Sequence, residues 1–235
     1  MRRTKIIATI GPASFRFSVL KDMHSNGMDI ARINTKYGNT GQYRKTLHNL
    51  KKLKNCEIMF DINSTKKIGW IKQQDFDYIA LSYAGGKKQI RSIRKLFLPK
   101  QIRIISKIET KSGIKNIDEI IRESDGIMVA RGDLGKNIPY KEVPVEQKII
   151  IQKSRQKRKF VITATEMLLS LVKSKTPERA EISDVANAVI DGSDAVMLSE
   201  ETAIGKHPVL AVRIMKDIVK YTEDNLKRLN DIYQF

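Results

Sequence analysis

The sequence predicts an α/β fold, a single closed (β/α)8 barrel of the TIM type, and three observations carry that expectation. Short apolar runs of strand length alternate with helical stretches along almost the whole 235-residue chain. The alternation gives eight units over about 230 residues, which suits closure better than an open doubly wound sheet. The unusual polar residues gather where strands should end, and function collects at that end of such barrels.

The first unit is an apolar strand over Lys5 to Ile10, closed by the turn dipeptide Gly11-Pro12, and a helix over Ser18 to Asn26 that stops at Gly27. The second runs from Met28 to Asn34, crosses a loop containing Gly38 and continues as a helix over about Thr40 to Lys54. A third strand spans Glu57 to Phe60 and ends at Asp61, with a short helix over about Lys66 to Gln74. Tyr78 to Ser82 is the fourth strand, and Lys87 to Leu98 its helix. Ile102 to Ile108, a helix over Gly113 to Glu123 and a strand over Gly126 to Ala130 form the next β-α-β unit. An irregular segment with Pro139 and Pro144 then leads to a helix ending near Lys157. Phe160 to Thr165 is the seventh strand, Glu181 to Ile190 a helix, Ala195 to Leu198 the eighth strand and Pro208 to about Arg228 the last helix.

Composition narrows the function classes. A hydrophobic content of 41% supports one large core, and the single Cys56 excludes both a disulfide framework and a cysteine-based zinc site. With no apolar run of membrane-spanning length and no charged-then-apolar leader, the reading is a cytoplasmic protein without a membrane partner. The net charge of +18 invites a polyanion. It is spread over helical faces such as Lys45, Lys51, Lys52 and Lys54, however, and solvated surfaces explain it better than a nucleic-acid groove.

The segment from Ile102 to Gly135 carries the chemistry. Lys107 and Glu109 stand two apart on one strand and so share a face. Arg131 and Asp133 follow the neighbouring strand, with Gly132 between them. Parallel neighbours lie about 4.8 Å apart, so Glu109 and Asp133 can converge on one cation beside Lys107. Two carboxylates with room for water and substrate oxygens suit Mg²⁺. Arg32, Asn34, Asp61, Thr165, Ser199 and Glu201 stand at the ends of other strands.

At these residues the chain resembles a known family. IISKIE, SDGIMVARGDLG, ITATEML, PERAEISDVANAVIDG and MLSEETAIG, with the opening TKIIATIGPAS and GMDIARIN, are similar to pyruvate kinase from about Arg3 to Glu223. The resemblance implies that Glu109 and Asp133 bind Mg²⁺ (or Mn²⁺), and that Lys107 stabilises the phosphoryl group and enolate in flight. It implies that Thr165 lies near the substrate carboxylate and the proton path, and that the amides around Gly132 and Asp133, in the loop of Arg131, hold that carboxylate. Arg32 is expected to contact the transferring phosphate. Asn34 and Asp61 match ligands of an activating potassium ion. Arg179 with the ERAE segment resembles a contact region, which implies a homodimer.

The departures matter equally. The family usually inserts a lid domain after the third strand and adds a carboxyl-terminal regulatory domain, whereas the reading here is one barrel domain over residues 1–235 with neither. Near the potassium site the family's serine is Lys36, its histidine Tyr37 and its threonine Ile62, so the Lys36 ammonium is a candidate substitute for K⁺, with Lys66 a second. Glu166 and Glu200 replace a glutamine and a glycine. The expectation is a minimal pyruvate kinase transferring phosphate from phosphoenolpyruvate to ADP. The alternatives are a Mg²⁺-dependent 2-oxo acid decarboxylase, aldolase or enolising enzyme that uses no nucleotide, and a non-catalytic binding protein.

Overall fold

A computed structural model describes residues 4–233. Its eight parallel strands are β1 (Lys5–Thr9), β2 (Ile30–Asn34), β3 (Glu57–Ile62), β4 (Tyr78–Leu81), β5 (Arg103–Ile108), β6 (Gly126–Ala130), β7 (Phe160–Ala164) and β8 (Ala195–Leu198). They close in sequence order, with β1 also pairing β8. The helices are α1 (Phe17–Ser25), α2 (Thr40–Leu50), α3 (Ile68–Ile71), α4 (Lys87–Phe97), α5 (Lys111–Lys115), α6 (Ile117–Glu123), α7 (Arg131–Asn137), α8 (Val143–Gln156), α9 (Arg179–Ile190), α10 (Glu200–Ala203) and α11 (Pro208–Tyr233). The barrel expectation therefore holds.

Two apolar layers follow from strand periodicity. Side chains such as Ile7, Met59, Ile105, Met128 and Met197 fill the barrel interior, while alternate residues such as Ile6, Phe60, Ile104 and Val196 pack outward against the helices. Each such side chain removed from water contributes about 1.5–3 kcal/mol. At the amino-terminal end Tyr78 stacks on Phe160 at 6.0 Å, and the Arg103 guanidinium lies 3.9 Å from the Tyr78 ring centroid. That plug leaves the opposite end as the mouth. Among the described residues, no helix is long and apolar enough to cross a membrane.

Several boundaries differ from the sequence-based expectation for local reasons. The helix over Gly113 to Glu123 is interrupted at Asn116, whose side-chain amide donates to the Gly85 carbonyl. The α2 helix ends at Leu50, short of the expected Lys54, and the chain then turns toward Asn55, which is left-handed at φ 60°. The helix expected over about Lys66 to Gln74 shrinks to the single turn α3. Arg131 to Asn137, where the sequence pattern predicts no helix, forms α7 directly off the end of β6.

Candidate active site

The ladders bring a charged cluster together at the mouth. Asn34 pairs in register with Asp61 across β2 and β3, and Leu81 with Ser106 across β4 and β5, so the next residues, Ser82 and Lys107, are neighbours. Arg32, Asp61, Lys107 and Glu109 are only 6%, 1%, 7% and 1% exposed. Charges this deep need partners, because an unpaired buried ion costs several kcal/mol. Here they pair with one another. Arg32 donates from Nε and Nη2 to Asp61 Oδ2 at 2.9 and 2.7 Å, and from Nη1 to Thr9 Oγ1 at 2.7 Å. Lys107 Nζ lies 3.1 Å from Asp61 Oδ2 and 3.0 Å from Glu109 Oε1, and donates to Ser82 Oγ at 3.0 Å.

The two carboxylates respond differently to the same burial. Burial pushes Asp61 upward, but the Arg32 and Lys107 charges outweigh it and hold its carboxyl below the usual range. Burial also pushes Glu109 upward, and the Lys107 charge with the Tyr83 backbone N–H offsets only part of that, so its carboxyl stays above the usual range. Tyr83 N–H donates to Glu109 Oε2. The other oxygen, Oε1, is buried and accepts no hydrogen bond, facing Lys107 as an ion pair alone.

The β6 and β7 ends form the adjoining wall. Thr165 and Glu166 both adopt the left-handed backbone, at φ 71° and 54°, a conformation that costs non-glycine residues about 1–2 kcal/mol each. Arg131 braces it: Nε and Nη2 donate to the Thr165 carbonyl at 3.2 and 2.7 Å, Nη2 to the Glu166 carbonyl at 3.1 Å, and Nη1 to Asp184 at 2.6 Å. The Arg131 side chain is thus turned toward this loop and α9. Thr165 Oγ1 accepts from Gly132 N–H at 2.7 Å and donates to the Ala164 carbonyl. A Cβ at Gly132 would meet only ordinary contacts, the nearest being Thr165 Oγ1 at 3.4 Å, so the protein's own packing does not require glycine there.

Asp133 lies in the first turn of α7, where its carboxylate accepts from Lys136 at 3.0 Å near the surface. Glu109 and Asp133 are therefore each held by a lysine. Among the described residues, no group of three or more Asp, Glu, His or Cys side chains is placed to hold a metal. Glu109 Oε1, which has the Lys107 ammonium as its counter-ion and accepts no hydrogen bond, with Asp133 three residues past β6, nevertheless suits a divalent ion completed by water and substrate oxygens.

The potassium arrangement fits less well. Asp61 Oδ2 is occupied by Arg32 and Lys107, and Oδ1 by Ser82 at 3.1 Å, while Asn34 Oδ1 accepts from Lys36 N–H at 3.1 Å. Lys36 itself is exposed, its ammonium 5.7 Å from the Tyr37 ring centroid. A cavity of about 610 Å³ opens between Arg32, Asn34, Tyr37 and the β1 and β8 ends, with Phe15, Ser199 and Glu200 in its wall. Glu201, fully buried, accepts from the backbone of Leu168 and Ser199 and fixes the β8 loop.

Thr9, Ser82, the Tyr83 amide and Asp184 enter the site without having been singled out in the sequence. Their signal was weak: each is one polar group whose partner lies at least 21 residues away.

Comparison with known proteins follows this geometry. The chain matches the family described as "Pyruvate kinase, barrel domain" over residues 1–64 and 61–212. It is 41% identical over 175 residues to the pyruvate kinase of Methanocaldococcus jannaschii, covering 74% of this chain and 39% of that protein. It is 49% identical over 151 residues to that of Thermococcus litoralis, covering 63% and 32%. The match to the Thermoplasma acidophilum pyruvate kinase is 33% over 320 positions, covering 95% of this chain and 59% of the relative. Because that alignment is longer than the 235-residue chain, the relative carries inserted residues within it. The chain spans from about a third to three fifths of the length of these relatives. The matched barrel segments, covering most of the chain, place it in the pyruvate kinase family.

Proposed function

We propose that this barrel catalyses Mg²⁺-dependent phosphoryl transfer from phosphoenolpyruvate to ADP, giving pyruvate and ATP. The observation that carries this reading is the buried Arg32, Asp61, Lys107 and Glu109 cluster at the mouth, with the Thr165 and Gly132 wall beside it. In the reaction an ADP β-phosphate oxygen attacks phosphorus, the bond between phosphorus and the enol oxygen breaks, and the enolate takes a proton at its methylene carbon. Charge spreads over the phosphoryl oxygens in flight, so catalysis consists of positioning and neutralising them.

Each residue has a part in that work. Asp61 fixes Arg32 and Lys107 in place, so both cations are presented without reorganisation. Arg32 meets the transferring phosphate, and Lys107 the phosphoryl group and enolate oxygen. The Gly132 and Asp133 amides receive the substrate carboxylate, which takes the Gly132 N–H from Thr165 and frees that hydroxyl to face the substrate. Glu109 and Asp133 would hold a magnesium or manganese ion, which when bound supplies Lewis-acid stabilisation of the enolate and phosphoryl oxygens. With Asp61 and Asn34 already satisfied, no step is assigned to potassium.

A second reading keeps Lys107, Glu109, Asp133 and Thr165 but dispenses with the nucleotide, as a 2-oxo acid decarboxylase, aldolase or enolising enzyme. It is favoured by the short link between β3 and β4, where the family match divides at residues 61–64 and only the single turn α3 intervenes. A site less protected from water loses reactive intermediates to hydrolysis. The test is incubation with Mg²⁺ and phosphoenolpyruvate, with and without ADP, measuring pyruvate, ATP and free phosphate. ATP formation supports transfer; turnover independent of ADP refutes it in favour of the second reading.

A further inference from the structure

We infer that Lys67 is a positioning residue: its ammonium sits in a cradle of backbone carbonyls and holds the β2–α2 loop, and through it Asp61, in the arrangement that the site requires. Lys67 Nζ donates to the Thr35 carbonyl at 2.6 Å, to Tyr43 Oη at 3.1 Å and, at the limit of hydrogen bonding, to the Gly38 carbonyl at 3.5 Å. The buried Tyr43 hydroxyl donates its own hydrogen bond to the Tyr37 carbonyl. Carbonyls of Thr35, Tyr37 and Gly38 thus converge on one cation, directly or through a phenol. Like dipoles turned toward one point repel, so this turn needs a positive charge at its centre. Among the described residues, Lys67 forms no ion pair with a carboxylate. Its charge is spent on the loop.

The loop is shaped for this contact. Gly38 is left-handed at φ 75°, and a Cβ there would stand 2.7 Å from Gln42 Oε1. Asn39 and Gln42 then start α2 with a reciprocal capping box. From Thr35 the link continues inward, because its N–H and hydroxyl both donate to the Asp61 carbonyl, at 2.9 and 2.7 Å. Asp61 in turn anchors Arg32 and Lys107. The same loop presents Asn34 and Tyr37 to the large cavity. The short β3–β4 connection therefore delivers a tethered cation onto the loop. The catalytic part of this inference rests on the phosphoryl-transfer reading; the ordering of the loop does not.

The test uses the full chain and Lys67→Met, which keeps the stem and removes the charge. The expected result is faster amide hydrogen exchange over residues 35–38 and a KM for phosphoenolpyruvate raised by about ten- to a hundredfold, with a smaller change in kcat. Added ammonium or methylammonium ions should restore both, while leaving the unmodified protein unaffected. A merely structural lysine would not be rescued in this way. Unchanged exchange, or a loss that ammonium fails to repair, overturns the inference. If Lys67→Met does not fold, Tyr43→Phe removes one arm of the cradle and should show the same changes at smaller size; no change there also overturns it. If the unmodified protein forms no ATP, the phosphoryl-transfer reading fails, and hydrogen exchange with ammonium rescue still decides the role of Lys67.

Discussion

Replacing Lys107 by Met removes the charge that joins the two carboxylates, and the structure assigns the damage chiefly to one of them. Asp61 keeps Arg32 at 2.7 and 2.9 Å and Ser82 at 3.1 Å. Glu109 loses its only cation among the described residues and keeps the Tyr83 N–H. Breaking a buried pair in this way costs about 3–5 kcal/mol while the remaining carboxylate stays ionised. Glu109 has an escape by taking a proton, and burial already holds its carboxyl above the usual range. A carboxyl with a raised folded-state pKa favours the folded state below its unfolded pKa, and that contribution is lost as pH rises through the folded value. The variant should therefore be most destabilised at pH above the raised folded-state range of Glu109 and recover as pH falls toward the usual carboxylate range, at up to ~1.4 kcal/mol per pH unit. Urea midpoints measured across that range, with the slope of the transition checked for constancy, read this directly. A destabilisation that does not change with pH, or none at all, would refute the assignment of the strain to Glu109.

Other substitutions test the neighbouring parts. Glu109→Gln should weaken Mn²⁺ binding, followed by its electron-spin signal, by about tenfold or more, equivalent to ~1.4 kcal/mol per decade; unchanged affinity would remove Glu109 from the metal site. Arg131→Met releases the two left-handed residues and strands Asp184. It should cost about 2–4 kcal/mol by urea unfolding, with loss of exchange protection confined to residues 164–168, whereas a neutral result would show that the brace is dispensable. Thr165→Gly relieves about 1 kcal/mol of backbone strain while removing the hydroxyl, so stability should hold while turnover drops by about a hundredfold. Turnover that survives would exclude the hydroxyl from the chemistry.

How far the sequence reveals this depends on the distance over which each feature is decided. The bounds of β6 and β8 follow from short apolar runs and agree with the structure to the residue. The contact between Lys107 and Glu109 follows from the two-residue period of one strand. Where the answer depends on a distant partner, pattern alone falls short. Arg131 stands beside Asp133 in sequence and reads as part of the substrate wall, but Asp184, which lies 53 residues further on, and the carbonyls of a left-handed turn draw it to the β7 loop. Lys36 and Lys66 stand out near the altered cation site, yet the ammonium that enters a carbonyl cradle belongs to Lys67. That choice is made by how the single turn α3 lies against α2, with Trp70 and Tyr43 ring centroids 5.8 Å apart. Asp133 illustrates a third limit: helix α7 starts at Arg131 and places Lys136 one turn away, so the carboxylate has a local partner that its place after the strand does not reveal.

The most direct test of the account is the rate of ATP formation from phosphoenolpyruvate and ADP with saturating Mg²⁺, measured for the unmodified protein and for Lys107→Met under conditions where both are folded. The account predicts steady ATP formation by the first and a loss of about a thousandfold or more in the second, the scale expected when a group stabilising transition-state charge is removed. ATP formed at equal rates by both, or by neither, would contradict it.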